Sequence, residues 1–219
     1  EKPELLEPGH RYSVTVQLRM AGYQLAAGHR WRLGVSPTYT RHAWPSPEMV
    51  RLSLFSGENC RLRLPVRTPQ KTDADLPVFP EAEISPPLRV SRIRAPKRQN
   101  TVARDWVDGW ITMTQVNDEG RLWFLDNDLE TDHTSTEIFK VREGDPLSTS
   151  QHIRSVSEFR RADWRVRVET ESVVKADAYQ FYLTSQMNAY EGDERVFTKF
   201  WNRTIPRDFP PNRHRDCFA

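Results

Sequence analysis

A strict alternation of apolar and polar residues is the feature that most constrains how this chain can fold. In the segment 12–18, for example, Tyr12, Val14 and Val16 alternate with Ser13 and Thr15. Side chains two residues apart lie on the same face of a β-strand, so each such segment predicts a strand with one face turned to a core. Alternation recurs in the segments 31–35, 50–54, 62–66, 110–116, 121–125, 137–142, 153–159, 164–174, 178–190 and 196–204. Helical periodicity is almost absent, and we predict an all-β fold.

Short polar turns separate these segments, which favours antiparallel order over β-α-β units. The string 117–120 predicts a hairpin turn between strands 110–116 and 121–125. Seven of the sixteen prolines fall between Pro65 and Pro96, where they fix φ and remove hydrogen-bond donors. We therefore divide the chain into a first β region at residues 1–70, a proline-rich connector at 71–100, and a second antiparallel β lobe at 101–219.

Composition excludes several classes of protein. Lys and Arg total 32 against 30 Asp and Glu, a net charge of +2, which argues against a dedicated nucleic-acid binder. The basic run 92–98 has no interleaved aromatic residues and is interpreted as a solvated end of the connector. Mean hydropathy is −0.73, and no apolar run approaches the roughly 20 residues that cross a membrane. We therefore expect neither a nucleic-acid nor a membrane partner.

Motifs for cofactors, metals and targeting are missing from the sequence. Cys60 and Cys217 lie far apart, the six histidines have no metal-ligand spacing, and only nine glycines are present. We therefore expect no cofactor and no metal. No signal-peptide segment occurs, which favours a cytoplasmic location. The chain starts at Glu1 and is interpreted as a fragment of a longer protein.

One acidic run is a candidate metal site. Its members, at two-residue spacing, are Asp126, Asp128, Glu130 and Asp132. On a single strand all four would share one face, which could hold a hard cation through oxygen ligands. The other interpretation is a solvated acidic edge that discourages pairing with other strands. We favour the edge, because the glycine and terminal glutamate of a calcium loop are missing.

Catalytic motifs are equally absent. The nearest string to a Gly-x-Ser-x-Gly elbow is 34–38, which lacks the second glycine. The string 132–135 contains Asp132, His133 and Ser135, but members of a triad must converge in space and neighbours in sequence need not. We assign no catalytic residue.

An aromatic loop at 36–47 is the strongest candidate for a functional surface. Tyr39, His42 and Trp44 lie on a segment stiffened by Pro37, Pro45 and Pro47. Large aromatic side chains on such a loop bind at low entropic cost, which makes these three residues substrate-contact candidates. The loop could equally cap the end of a sandwich.

The strings around this loop resemble a known family. Residues 26–36 (AAGHRWRLGVS) and the lead-in 6–9 (LEPG) resemble signatures in the C-terminal domain of Xaa-Pro dipeptidyl-peptidases and cocaine-esterase-like serine hydrolases. The loop 39–47 is similar to the Trp-Pro-Ser-Pro loop of that domain. Further strings, at 134–137, 192–197 and 203–208, resemble a longer subgroup of the family.

The resemblance implies a fold and a function. It implies that residues 1–70 form the later strands of a galactose-binding-like jelly roll, a β-sandwich; within it we predict a structural role for Gly28, His29 and Arg30, because they lie where a turn enters a strand. It also implies a non-catalytic C-terminal β region of a serine hydrolase acting on Xaa-Pro peptides or carboxylic esters. The partner would be an α/β-hydrolase domain of the same parent protein, which carries the Ser-Asp-His machinery.

Two further expectations accompany this interpretation. The alternative function is a stand-alone carbohydrate-binding module, with Trp31, Trp44 or Trp106 stacking on sugar faces. Because an incomplete sandwich leaves a sheet edge and apolar side chains uncovered, we also expect a homodimer or larger assembly.

Overall fold

The computed structural model describes residues 5–19, 21–39, 42–75, 77–78 and 80–211. In these ranges one short 3₁₀ helix precedes eight β-strands. The helix spans Lys71–Asp75, and the strands are β1 (Val90–Arg94), β2 (Lys97–Arg104), β3 (Trp110–Phe124), β4 (Leu129–Arg142), β5 (Asp145–Arg161), β6 (Trp164–Ala176), β7 (Gln180–Glu191) and β8 (Glu194–Pro206).

The eight strands form one open sheet in which all pairs are antiparallel. From β3 to β8 each strand pairs with the next one in sequence, and β1 and β2 both pair with β3. Turns of two residues join several strands, and positive φ values at Gly144 (77°) and Gly192 (59°) suit such turns. The predictions of an all-β fold and of an antiparallel second lobe are therefore confirmed.

The hairpin turn that we predicted at 117–120 is wrong, because these residues lie within strand β3. The strand runs unbroken across this string, and a bulge lies between Asp118, which pairs with Thr134, and Arg121, which pairs with Asp132. The bulge faces the break between β1 and β2, and a Cβ atom at Gly120 would overlap the carbonyl oxygen of Arg94 there. A glycine at positive φ is what such a bulge requires, and the sequence signal of a bulge resembles that of a turn.

The two faces of the sheet differ in chemistry. Strand register places Met113 beside Phe139, and Val174 beside Leu183, on one face, which we call the apolar face. The opposite face, which we call the charged face, carries Arg and carboxylate side chains in adjacent register. Among the described residues only Phe139 is a buried hydrophobic residue, at 5% exposure.

An ion-pair network crosses the charged face at the bulge. The Arg94 guanidinium pairs with Asp118 and lies 2.7 Å from an oxygen of Asp132. Arg121 bonds the other oxygen of Asp132 at 3.2 Å and approaches Glu158 at 3.6 Å. The network connects β1, β3, β4 and β5, so its charges hold the β1 edge to the sheet.

The first β region has a different structure. Among the described residues before Val90 there is no β-strand, and the one bridge joins Tyr39 to Ala43. Val14, Val16 and Leu33, which belong to the alternating segments, are exposed at 75%, 72% and 59%. The sandwich in this region stays a prediction, as do the boundaries of the three parts. The strands β1 and β2 lie largely within the predicted connector and form one edge of the sheet.

Candidate functional site

The aromatic loop is built on a tight turn. The backbone N–H groups of His42 and Ala43 both donate to the carbonyl oxygen of Tyr39, at 2.8 and 2.7 Å. The hydroxyl of Thr38 donates to the carbonyl oxygen of Ala43 at 2.7 Å. The rings of Tyr39 and His42 stack with centroids 5.1 Å apart and planes 4° from parallel. The turn therefore presents a stacked pair of rings on the surface, where Tyr39 is 68% exposed.

The segment that follows the turn packs on the end of the sheet. The Trp44 ring meets Phe181 of β7 edge-on, with centroids 5.9 Å apart and planes at 86°. The carbonyl oxygen of Pro45 accepts a hydrogen bond of 3.1 Å from Nη1 of Arg207. Arg207 itself lies directly after β8, and its guanidinium carbon is 4.6 Å from the Phe181 centroid. One aromatic ring thus contacts both the loop and the arginine.

Arg207 is buried, with 8% exposure. Burial lowers the pKa of its guanidinium, and the charge of nearby Asp177 opposes this effect. Its Nε and Nη2 atoms, like Nε1 of Trp44, are buried and have no hydrogen-bond partner. Among the described residues, no carboxylate forms an ion pair with Arg207. The cluster of Trp44, Phe181 and Arg207 therefore contains a buried positive charge and three donors without acceptors; we call it the Trp44–Arg207 cluster.

The carboxylate of Asp177, near this cluster, is already engaged. It accepts hydrogen bonds from the Tyr182 hydroxyl at 2.6 Å and from the backbone N–H groups of Tyr179 and Gln180 at 2.7 Å. These hydrogen bonds lower the pKa of Asp177, and the bond from Tyr182 has the largest effect. The bond between Tyr182 and Asp177 also raises the pKa of Tyr182. Asp177 contributes a favourable charge but not an ion pair.

The structure separates the three substrate-contact candidates. Tyr39 and His42 are exposed on the turn, whereas Trp44 packs against Phe181. Their role in substrate contact stays a prediction. Sequence reasoning missed Arg207, because an arginine after an alternating strand carries no signal of burial. The only available signal was the resemblance of the string 203–208.

The motif 28–30 lies at a turn. Gly28 has a φ of +83°, and the backbone N–H of His29 donates to the carbonyl oxygen of Ala26 at 3.1 Å. The His29 and Arg30 residues are exposed. The structural role expected for these three residues stays a prediction.

The acidic run does not lie on one strand face, which corrects the geometry expected for it. Asp126 and Asp128 lie in the turn between β3 and β4, and Asp128 has a φ of 55°. Asp126 pairs with Arg89 at 3.2 Å, and Asp128 accepts a bond of 2.8 Å from the Trp123 indole. Among the described residues, no group of three or more His, Cys, Asp and Glu side chains could hold a metal ion.

His133 has a partner that the string 132–135 did not predict. Alternation on β4 places Asp132 on the charged face and His133 on the apolar face, where Nδ1 of His133 lies 2.8 Å from Oγ of Ser157. Leu122, Phe159 and the bulge at Gly120 help to line a shallow pocket of about 330 Å³ beside this pair. Asp132, His133 and Ser135 thus do not converge as a triad.

Together, the fold and the site define an all-β chain in which an aromatic loop packs against the end of a separate antiparallel sheet. Residues 1–75 match the family described as the X-Pro dipeptidyl-peptidase C-terminal non-catalytic domain. The match includes the motif 28–30 and the aromatic loop, and it confirms the resemblance for this part of the chain. No curated protein and no solved structure matches the chain. No helix in the described part of the chain is long and apolar enough to cross a membrane.

Proposed function

We propose that this chain is the non-catalytic β region of a serine hydrolase that acts on Xaa-Pro peptides or carboxylic esters. Residues 1–75 pack against its α/β-hydrolase domain and buttress it. The observation that carries this proposal is the match of these residues to a domain described as C-terminal and non-catalytic. Because the matching domain is described as C-terminal, the proposal places the catalytic domain before it in the parent protein.

Exposed apolar side chains in the first β region support a docking role. Val14, Val16 and Leu33 alternate with polar residues, yet more than half of each is exposed. Leaving such surface in water costs about 25 cal/mol per Å², so it favours association with a partner. A neighbouring domain of the same protein is the partner that the family description suggests.

The aromatic turn supports a finer proposal, that it walls part of the substrate cleft. Tyr39 and His42 present their stacked rings on the surface. Rigid rings on a short hydrogen-bonded turn lose little entropy on contact with a substrate. Trp44 packs against Phe181 and would hold this turn in place.

The carbohydrate-binding alternative is not favoured. A sugar-stacking site needs an accessible ring face, and Trp44 is partly covered by Phe181. Trp106 is 80% exposed, but the guanidinium carbon of Arg104 lies 4.3 Å from its ring centroid. Trp31 also contacts the Tyr23 ring, at 6.0 Å.

The parent coding sequence provides the first test. An upstream open reading frame that encodes Gly-x-Ser-x-Gly, followed by Asp and His partners, would support the proposal. A parent frame without these residues would overturn it. The 219-residue chain alone should not hydrolyse an Xaa-Pro chromogenic amide or a p-nitrophenyl ester, and turnover blocked by a fluorophosphonate would contradict this expectation.

Docking can be tested in the intact parent protein. Val14→Asp with Leu33→Asp should lower the melting temperature of the catalytic domain, because two charges would enter the apolar contact. Val78→Asp is the matched control, since Val78 is 93% exposed and lies in the connector. Equal melting temperatures for the two variants would show that these side chains are not at the domain interface.

We also propose that copies of the chain associate through strand β8. Val196, Phe197 and Phe200 are exposed at 57%, 46% and 68%, and β8 is an outer strand of the described sheet. An uncovered apolar edge favours strand addition by a second copy. Light scattering at micromolar concentration tests this, and a monomer mass together with cooperative melting would exclude it.

A further inference from the structure

The Trp44–Arg207 cluster holds donors that lie along one edge of a guanidinium group. The Nη1 atom of Arg207 donates to the Pro45 carbonyl oxygen, whereas Nε and Nη2 have no partner. Nε and Nη2 form the side edge of the guanidinium plane, and two parallel N–H bonds from such an edge match the two oxygens of a carboxylate. The two atoms without partners are therefore the pair of donors that a carboxylate requires.

Among the described residues, no carboxylate forms an ion pair with Arg207. Its guanidinium is buried beside the Phe181 ring, whose π face attracts a cation but is not an anion. Asp177 is near, but its carboxylate is occupied by Tyr182 and two backbone N–H groups. A buried cation is normally paired with an anion, because its water has been removed.

Trp44 supplies an independent second observation. Its Nε1 atom is also buried without an acceptor, and its ring contacts the same Phe181 ring as the guanidinium does. An indole N–H can only donate, so it requires an oxygen acceptor. Two different side chains thus present unused donors within one small cluster.

We propose that the Trp44–Arg207 cluster is a binding site for a carboxylate group. Its two oxygens accept from Nε and Nη2 of Arg207, and one of them also accepts from Nε1 of Trp44. The inference does not depend on the proposed hydrolase function, because it uses only contacts within this chain.

Access to the site requires a small movement of the loop. The three donors are sealed from solvent, and the loop is held there by the bond from Arg207 to Pro45 and by the contact between Trp44 and Phe181. A carboxylate therefore enters when the segment 44–47 lifts from Phe181. Formate is the smallest carboxylate and needs the smallest opening.

Titration of the 219-residue chain with sodium formate, followed by ¹H–¹⁵N NMR, tests the site. The Trp44 indole resonance is assigned by its loss in Trp44→Phe, and the Arg207 Nε resonance by its loss in Arg207→Lys. Both resonances should shift saturably with formate and stay in place with sodium chloride at equal ionic strength. A response to phosphate without a response to formate would overturn the choice of carboxylate.

Two variants separate binding from a general effect on structure. Arg207→Lys keeps the positive charge but loses the fork, so the formate response of the Trp44 indole should disappear. Arg203→Lys is the matched control, because Arg203 lies near the end of the same strand and is exposed. In this variant the formate response of the Trp44 indole should remain. If Arg207→Lys fails to fold, the wild-type titration of the Trp44 indole resonance, which is assigned through Trp44→Phe, decides alone. Unmoved Trp44 and Arg207 resonances at high formate would overturn the proposal.

Discussion

The first β region and the sheet of β1–β8 share a sequence pattern but not a structure. Both alternate apolar and polar residues at a spacing of two. In the sheet each strand finds a hydrogen-bonded neighbour, whereas the described residues before Val90 contain no β-strand. Alternation therefore predicts which face of a strand is apolar, but it does not supply the neighbouring strand that the backbone requires.

The sequence distance to the pairing partner explains this difference. From β3 to β8 each strand pairs with the next one along the chain, through short turns. Such local pairing costs little loop-closure entropy. The jelly roll proposed for residues 1–70 would pair strands that are far apart in sequence, at a higher cost in loop-closure entropy. A sheet built from hairpins forms its ladder without this cost.

Hydrogen exchange measures this contrast most directly and should show the largest effect. Backbone amides of the central strands β4–β6 should exchange at least about a thousandfold more slowly than those of the segment 12–18, a difference of about 4 kcal/mol in opening free energy. The hydrogen bonds between strands protect the amides of β4–β6, whereas the segment 12–18 is not part of a β-strand. Exchange followed by mass spectrometry on the 219-residue chain provides the measurement. Comparable protection in the two regions would mean that the first region is paired in solution.

Substitution of the one buried hydrophobic residue of the described sheet should have one of the two largest effects among single substitutions. Phe139→Ala should lower the free energy of unfolding by about 3 kcal/mol, because it removes a buried ring and leaves a cavity. Val102→Ala is the matched control on the same face, where Val102 is 71% exposed, and should change stability by less than about 0.5 kcal/mol. Urea denaturation measures both. Equal effects would show that the apolar face is covered in solution.

The sequence allowed prediction of the fold class and of the sheet faces, but not of the strand lengths. Alternation correctly placed Phe181, Leu183 and Met187 on one face of β7. It did not distinguish the Gly120 bulge from a turn, because both use a glycine at positive φ. The distinction depends on whether β4 continues past the glycine, and this is a property of another strand.

The candidate site was predictable only in part, for a similar reason. The aromatic loop is visible in the sequence because large rings and prolines cluster there. Its contact with Phe181 and Arg207 joins residues that are more than 130 positions apart. No local pattern marks such a pair, so the buried guanidinium emerged only from the three-dimensional arrangement.

The bulge at Gly120 is the place where the predicted connector contacts the sheet. Gly120→Ala should destabilise the chain by about 3 kcal/mol, since the added Cβ overlaps the Arg94 backbone and alanine disfavours a φ of +78°. Gly144→Ala is the matched control, with a φ of +77° and open space around its Cβ, and should cost about 1 kcal/mol. Thermal unfolding of both variants gives the difference. Equal losses would mean that the β1 edge does not lie against the bulge.

The smallest expected effect is the pH dependence of the same edge. The hydrogen bond from Arg94 lowers the pKa of Asp118 below its usual value of 3.8. A carboxylate with a lowered folded-state pKa stabilises the fold above its unfolded pKa, and this contribution is lost as the pH falls through the folded value. The wild-type melting temperature should therefore fall on acidification from about pH 6 to about pH 3, and Asp118→Asn should remove part of this fall.

An exposed ion pair provides the comparison for this last effect. Asp193 pairs with Arg165 at 2.8 Å, but its side chain is 98% exposed. Water screens such a pair, so Asp193→Asn should leave the acid dependence almost unchanged. Asp118, at 17% side-chain exposure, lies within a network that connects β1 to β4. If both variants flatten the acid dependence equally, Arg94 and Asp118 do not hold the edge, and the attachment of the connector to the sheet depends on backbone pairing alone.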